Sequence, residues 1–193
     1  MTEDIMKALI IAAGAALVFT GSAIAQDGRL SGQQAKNFLE PLGDQAKKAV
    51  EQGDWQGVTR WMEKHVADDA PVAIRGSFLA TTGSTMTFQL SMSGAELQRF
   101  AGMSMGRLDR KQDAIRDYQI KFDVLDVTEL PTGSVSAQIR AVESGVLQAS
   151  AGKAEGKSVA FHSTTSCTLR LAGGRDGGDP EIRLAGCELM TTM

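Results

Sequence analysis

The first apolar positions of the chain recur at helical intervals. Ser31 is a candidate N-cap, and apolar residues follow it three and four positions apart, at Ala35, Phe38, Leu39 and Leu42. Pro41 interrupts this helical pattern. The pattern continues after Pro41 and ends at Gly53. Asp54 can cap a further helix with apolar residues at Trp55, Val58, Met62 and Val66. The spacing therefore predicts several short N-terminal helices, each with one buried face.

From Val72 onward the apolar residues recur at every second position, which is typical of strands. Two strands are predicted near residues 72–79 and 85–92, and Gly76 suggests a bulge in the first. Ser93 and Glu96 form a capping box for a helix between this pair and the later strands. Further strands are predicted to begin near Tyr118, Val135, Val159 and Glu181.

This order of elements predicts one α+β domain, in which N-terminal helices pack on a curved, mainly antiparallel sheet. The Gly- and Asp-rich residues 173–180 predict a tight connection between the last two strands. Pairing these strands about Gly177 places Cys167 opposite Cys187. We therefore predict a disulfide in the C-terminal hairpin, and a bulge at Gly186 that brings the apolar residues of the last strand to one face.

The N-terminus has the pattern of a cleavable export signal. Residues 8–23 are apolar or small, Lys7 precedes them, and Ala23-Ile24-Ala25 matches the small-x-small cleavage pattern. We predict a signal peptide over residues 1–25, a flexible lead-in over 26–32 and a single domain over 33–193. Glu3 and Asp4 give an unusual acidic start, which would disappear if translation began at Met6 instead of Met1.

The composition limits the cellular compartment and the classes of binding partner that we predict for this chain. An isolated cysteine pair favours a disulfide in an oxidising compartment, so we predict a bacterial periplasmic or secreted protein. The net charge is −3, and scattered Lys and Arg residues give no basic face for nucleic acid. The apolar N-terminal segment is too short and too rich in small residues for a stable membrane span, and we predict no span in the chain that remains after cleavage.

The element order, together with the text Gly53-Asp54-Trp55 between two helices and Ala67-Asp68-Asp69-Ala70 after them, resembles the nuclear transport factor 2-like (SnoaL-like) α+β cone superfamily. The resemblance implies a cone-shaped sheet that can hold a small ligand. Enzymes of this superfamily, such as ketosteroid isomerases, use a buried carboxylate base with Tyr and acid donors inside the cone. A cystatin-like curled sheet over one helix is the alternative fold.

Three side chains are candidate catalytic residues: Asp123, Asp126 and His162. The alternation along residues 118–124 places Asp123 on the polar face, where a solvated charge explains it better than catalysis. For ligand binding we predict Trp55, Tyr118, His162 and Thr164 if their faces turn inward. Met103 and Met105 resemble a soft Cu(I) ligand pair, although methionine as core filler explains them better.

No nucleophile-elbow text, phosphate-binding loop or zinc-ligand spacing occurs in the chain. We therefore predict no cofactor and no metal, and a non-catalytic module that binds a small apolar ligand or an envelope protein. The alternative is a small-molecule isomerase, dehydratase or hydrolase of the SnoaL-like kind. A homodimer formed through the sheet is left open.

Overall fold

The computed structural model describes residues 29–80, 82–111, 114–148, 158–174 and 178–193. The predicted signal peptide lies outside these ranges, as do residues 26–28 of the predicted lead-in. The elements, in chain order, are α1 Gly32–Leu39, α2 Leu42–Gln52, α3 Trp55–His65, β1 Pro71–Leu79, β2 Thr85–Ser93, α4 Gly94–Lys111, β3 Ala114–Glu129, β4 Val135–Gln148, β5 Ser158–Ala172 and β6 Glu181–Thr192.

The helices begin and end at the residues that the sequence marks. Ser31 and Gln34 form a capping box at the start of α1. Gly53 adopts the left-handed conformation, with φ of 65°, and ends α2. The Asp54 carboxylate accepts a hydrogen bond from the Gly57 N–H and caps α3. The capping predictions are confirmed, because each depends only on residues a few positions apart.

The six strands form one curved sheet in the order β2-β1-β6-β5-β4-β3. β6 lies between β1 and β5 and pairs in parallel with β1, while the other neighbours are antiparallel. Helices α1 and α2 pack on β3, and α3 packs on α4. The predicted α+β fold, with helices covering one face of a curved sheet, is confirmed.

The C-terminal hairpin is closed as predicted. Cys167 and Cys187 are register partners on β5 and β6, and they form a disulfide with Cα atoms 4.1 Å apart. Cys167 is buried in the core that the helices and sheet share. The bond therefore faces the helix-covered side of the sheet.

The two predicted bulges are wrong. Gly76 pairs without a register shift on both sides, and an added Cβ there would lie 2.2 Å from the Phe88 ring, so the glycine permits close packing instead. In β6 the shift lies between Ile182 and Leu184, not at Gly186. The extra residue, Arg183, turns Ile182 inward and leaves Leu184 exposed.

The lead-in predicted over residues 26–32 differs from the structure at its C-terminal end. Leu30 is buried, and its N–H donates to the Gly133 carbonyl at 3.0 Å. The Gly32 N–H donates to the Glu129 carboxylate at 2.6 Å. Packed structure therefore begins before residue 33, against the β3–β4 connection.

His65, at the end of α3, is buried and has a structural role. Its Nδ1 lies 3.2 Å from the Pro180 carbonyl oxygen, and its ring packs beside Phe38 and Trp61. Burial is the main cause that lowers the pKa of His65. The ring thus joins α3 to the residues that lead into β6.

Removing the disulfide should destabilise the domain. We expect the Cys167→Ala/Cys187→Ala double variant to lose about 3 kcal/mol of unfolding free energy, because the bond closes a loop of 20 residues in the unfolded chain. Urea unfolding followed by circular dichroism measures the loss. The wild-type protein with reductant is the control, and an unchanged midpoint in both cases would contradict the prediction.

Candidate functional site

Polar side chains form a row across the helix-covered face of the sheet. Glu143 on β4 is the register partner of Ser163 on β5, and Ser163 is the partner of Thr191 on β6. Register partners point to the same face, and all three side chains are buried. Ser163 Oγ and Thr191 Oγ1 hydrogen-bond each other at 2.9 Å. The row places a carboxyl beside two hydroxyls in a mainly apolar core.

Tyr118 supplies the hydrogen bond that holds Glu143. The phenol O–H donates to Glu143 Oε1 at 2.5 Å, and both side chains are buried. Oε2 of the same carboxyl has no hydrogen-bond partner among the described residues. Glu143 is 1% exposed and is the only buried carboxylate among the side chains whose burial the structure describes. The site is therefore a buried carboxyl with one oxygen hydrogen-bonded to Tyr118 and the other without a partner among the described residues.

A bulge in β3 aims Tyr118 at this carboxyl. Arg116 pairs with Val146 and Gln119 with Ser144, so Asp117 and Tyr118 together lie opposite a single residue of β4. Asp117 has φ of 52°, a left-handed conformation that aspartate tolerates better than most residues. The extra residue shifts the alternation, so that Tyr118 shares the buried face with Ile120.

The surroundings favour the neutral form of the carboxyl. Burial raises the pKa of Glu143 to about 8, and the hydrogen bond from Tyr118 lowers it only in part. Burial and the neighbouring Glu143 also raise the pKa of Tyr118. At neutral pH Glu143 is therefore mostly a carboxylic acid. Because Oε1 accepts from Tyr118, Oε2 is the oxygen best placed to carry the proton and donate it to a ligand.

The predicted catalytic residues do not converge. Asp123 forms ion pairs with Lys121 and Arg140, at 3.5 Å and 3.4 Å. Asp126 is exposed and accepts a hydrogen bond from Thr128. His162 is exposed on the face of β5 opposite to Ser163. None of the three candidates shares the buried face with Glu143, so the structure does not bring them together as one site.

The predicted ligand-binding residues divide between the two faces. Tyr118 is part of the buried polar site. His162 and Thr164 lie on the helix-free face, where Thr164 lines a cleft with Phe88 and Met190. Trp55 is buried in the hydrophobic core at the start of α3. Only Tyr118 among the four therefore contacts the polar group that the interior contains.

Sequence reasoning missed Glu143, although a signal for it was present. The odd-numbered residues of β4 are buried from Val135 to Gly145, and Glu143 falls within that series. Its neighbours on the inward face are Ala141 and Gly145. A charged residue in register with the apolar face of a strand is a candidate buried group, since such residues are rarely buried without a role.

Three surface clefts among the described residues lie away from this row. Two lie on the helix-free face and share Arg75, Ser166 and Glu188. A third lies between the start of α1 and the β3–β4 connection, beside Arg29 and Glu129. Met103, predicted as core filler, is 65% exposed, so that interpretation is wrong for this residue.

The described ranges contain no group of three or more His, Cys, Asp or Glu side chains arranged to hold a metal ion. Within those same ranges, no helix is long and apolar enough to cross a lipid bilayer.

No protein-family model matches the chain, and no curated protein matches it by sequence. Solved structures with a similar fold include a nuclear transport factor 2-like protein of unknown function in nutrient uptake from Rhodospirillum rubrum, with 17% identity, a TM-score of 0.38, and coverage of 74% of this chain and 89% of that one. Another is a ketosteroid isomerase-like protein from Erwinia carotovora, with 12% identity, a TM-score of 0.37, and 74% and 86% coverage.

A third is a nuclear transport factor 2-like protein from Shewanella oneidensis, with 14% identity, a TM-score of 0.36, and coverage of 81% of this chain and 93% of that one. The similar structures are thus of the kind that the sequence resemblance predicted. With TM-scores this low they carry no functional argument, and the fold assignment rests on the helices and sheet of this chain.

Replacing Glu143 by glutamine should remove a pH dependence of stability. Because the folded pKa of about 8 exceeds the ordinary value of 4.5, the stabilisation by the bound proton is complete below pH 4.5 and lost as the pH rises to about 8. Between pH 5.5 and 7 we expect wild-type stability to fall by about 1.4 kcal/mol per pH unit relative to Glu143→Gln, and the slope to decrease as the pH approaches 8. Urea unfolding at stepped pH measures this difference.

The matched control is Glu188→Gln, which makes the same change on the exposed face of β6. His65, whose pKa is lowered by burial, is present in both proteins, so its contribution cancels in the difference between them. Parallel profiles for wild type and Glu143→Gln would show that Glu143 is already ionised in the folded state.

Proposed function

We propose that this chain is an exported module whose cone interior binds a small, mainly apolar molecule at Glu143. The observation that carries the proposal is the buried Glu143 carboxyl with Oε2 unpartnered among the described residues. Leaving a buried polar atom unpaired costs about 1–3 kcal/mol. A ligand oxygen that accepts from Oε2 would recover that free energy, and this would favour the complex.

The residues around Glu143 define the character of such a ligand. Ile120 is its register partner on β3, and Phe161 and Leu189 are buried on the same face. Apolar walls with one or two convergent polar groups are typical of sites for small molecules. Tyr118 would hold the carboxyl in place and leave Oε2 to contact the ligand.

A second candidate function is acid–base catalysis by Glu143. The observation that favours it is the raised pKa, because a carboxyl with a pKa of about 8 exchanges its proton near neutral pH. In this hypothesis Glu143, and not Asp123, Asp126 or His162, would move a proton on the bound molecule. Deuterium exchange into a bound ketone, lost in Glu143→Gln, would distinguish catalysis from binding alone.

Binding in the interior should depend on Glu143. We expect a screen of uncharged bicyclic ketones by thermal shift and native mass spectrometry to yield ligands of the wild-type protein. Glu143→Leu should lose them, since it removes the donor and keeps the apolar volume, while Glu188→Leu on the outer face should bind normally. Equal binding by both variants would place the ligand elsewhere.

Export is the second part of the proposal. Its support is the apolar N-terminal segment ending at Ala23-Ile24-Ala25, together with the buried disulfide. We expect the full chain, expressed in a bacterium, to be recovered from the periplasm with Gln26 as its first residue and no free thiol. N-terminal sequencing and thiol titration test this, and an intact cytoplasmic chain with two thiols would refute it.

A further inference from the structure

The two edges of the sheet differ in how they are protected from pairing with another chain. Among the described strands, β2 pairs only with β1 and β3 only with β4, so these two are the edge strands. An edge strand presents unpaired backbone N–H and C=O groups, which proteins usually shield with charged side chains, bulges or a covering element. β3 has two register shifts and six charged residues, which are Arg116, Asp117, Lys121, Asp123, Asp126 and Glu129.

β2 lacks these protections. Thr85–Ser93 contains no charged residue, no proline and no glycine, its register with β1 has no shift, and none of its side chains is buried. The helix α4 that follows begins against the residues that lead into β1. The Ala95 N–H donates to the Asp68 carbonyl at 2.9 Å, and the Gln98 side chain donates to the carbonyl of Val66 at 2.9 Å. The start of α4 therefore lies toward β1 and leaves the outer edge of β2 uncovered.

The sequence of β2 is symmetric about Gln89. Counting outward from Gln89 in both directions gives matching pairs, which are Phe88 and Leu90, Thr87 and Ser91, Met86 and Met92, and Thr85 and Ser93. An antiparallel second copy of β2 centred on Gln89 would therefore place apolar beside apolar and hydroxyl beside hydroxyl, and cross-strand pairs of this kind stabilise a sheet. A two-fold axis perpendicular to the sheet at Gln89 keeps the same face of both copies inward.

The inward side chains of β2 are more exposed than those of the central strands. Met86 is 40% exposed, and Phe88, Leu90 and Met92 are only half-buried although they pack against the core. A further strand beside them would cover part of this apolar surface. Because β2 carries no charge that would select a partner of opposite charge, the match of the strand with itself favours a second copy of this chain as the occupant.

We propose that two copies of this chain pair antiparallel through β2, centred on Gln89, and join their six-stranded sheets into one. The charged and bulged β3 remains at the outer edges, so assembly ends at the dimer. A strand of this length spans about 30 Å. The interface is therefore at the small end of the range for specific complexes, and we expect a micromolar dissociation constant. The pairing uses the edge of the sheet, not its helix-free face, and does not depend on a ligand at Glu143.

Sedimentation velocity of the mature chain, from low micromolar to several hundred micromolar, tests the proposal. We expect the wild type to pass from monomer to dimer over this range. Gln89→Lys places two like charges opposite each other at the two-fold axis and should weaken the dimer about tenfold or more. Gln138→Lys makes the same change on the helix-free face of β4 and should dimerise as the wild type does. Both positions are exposed, and thermal unfolding checks that both variants fold.

A mixture of two charge variants tests the register. Gln89→Glu alone should dissociate as Gln89→Lys does, because it also places like charges together. An equimolar mixture of the two should recover the dimer, since opposite charges then meet across the axis. A mixture that associates no more strongly than either variant alone would show that Gln89 does not face its own copy, and would overturn the proposed pairing.

Other outcomes would also contradict the proposal. A wild-type chain that stays monomeric at every concentration has no such interface. Dissociation by Gln138→Lys and not by Gln89→Lys would place the interface on the face of the sheet instead of its edge. Wild-type species larger than a dimer would contradict an assembly that closes at two copies.

Discussion

The burial of one carboxyl without a cation is the constraint on which the interior of this protein depends. Glu143 is covered by the fold, and among the described residues its only hydrogen bond comes from Tyr118. An ionised carboxylate in such a place lacks both water and a counter-charge, so the proton stays bound up to a pH of about 8. The same group is thereby changed from an acceptor of hydrogen bonds into a donor. The chemistry of the site follows from this change of Glu143 from hydrogen-bond acceptor to hydrogen-bond donor.

The alternation of side chains between the two faces of the sheet determines which side chains meet at the Glu143 carboxyl. Alternate residues point to opposite faces, so one extra residue in a strand reverses every position after it. The bulge at Asp117 does this in β3 and brings Tyr118 inward, while the extra residue Arg183 does it in β6. The Cys167–Cys187 bond joins two inward positions of β5 and β6 and so holds their relative register. Thr165, two residues from Cys167, shares its face for the same reason.

The sequence predicted the helices, their caps and the disulfide because these depend on short spacings. The stripe from Ala35 to Leu42 and the cap at Asp54 need only neighbours within a turn or two of helix. Asp123 was placed correctly on the polar face by simple alternation, and its ion pairs with Lys121 and Arg140 agree with that. The same alternation along β4 contains Glu143, which lies outside the segments that carry the family resemblance.

By itself, the sequence determined the order of elements, the helix boundaries and the cysteine pairing, because each follows from periodicity or from residues brought together by one tight hairpin. Only the tertiary structure decided that β6 lies between β1 and β5, where β3 bulges, and that Tyr118 meets Glu143 across 25 residues of chain. Strand order and bulges depend on packing between distant segments, and a one-residue shift that periodicity cannot detect changes which side chain is buried. The candidate site consists of such contacts, so it became visible only in the folded chain.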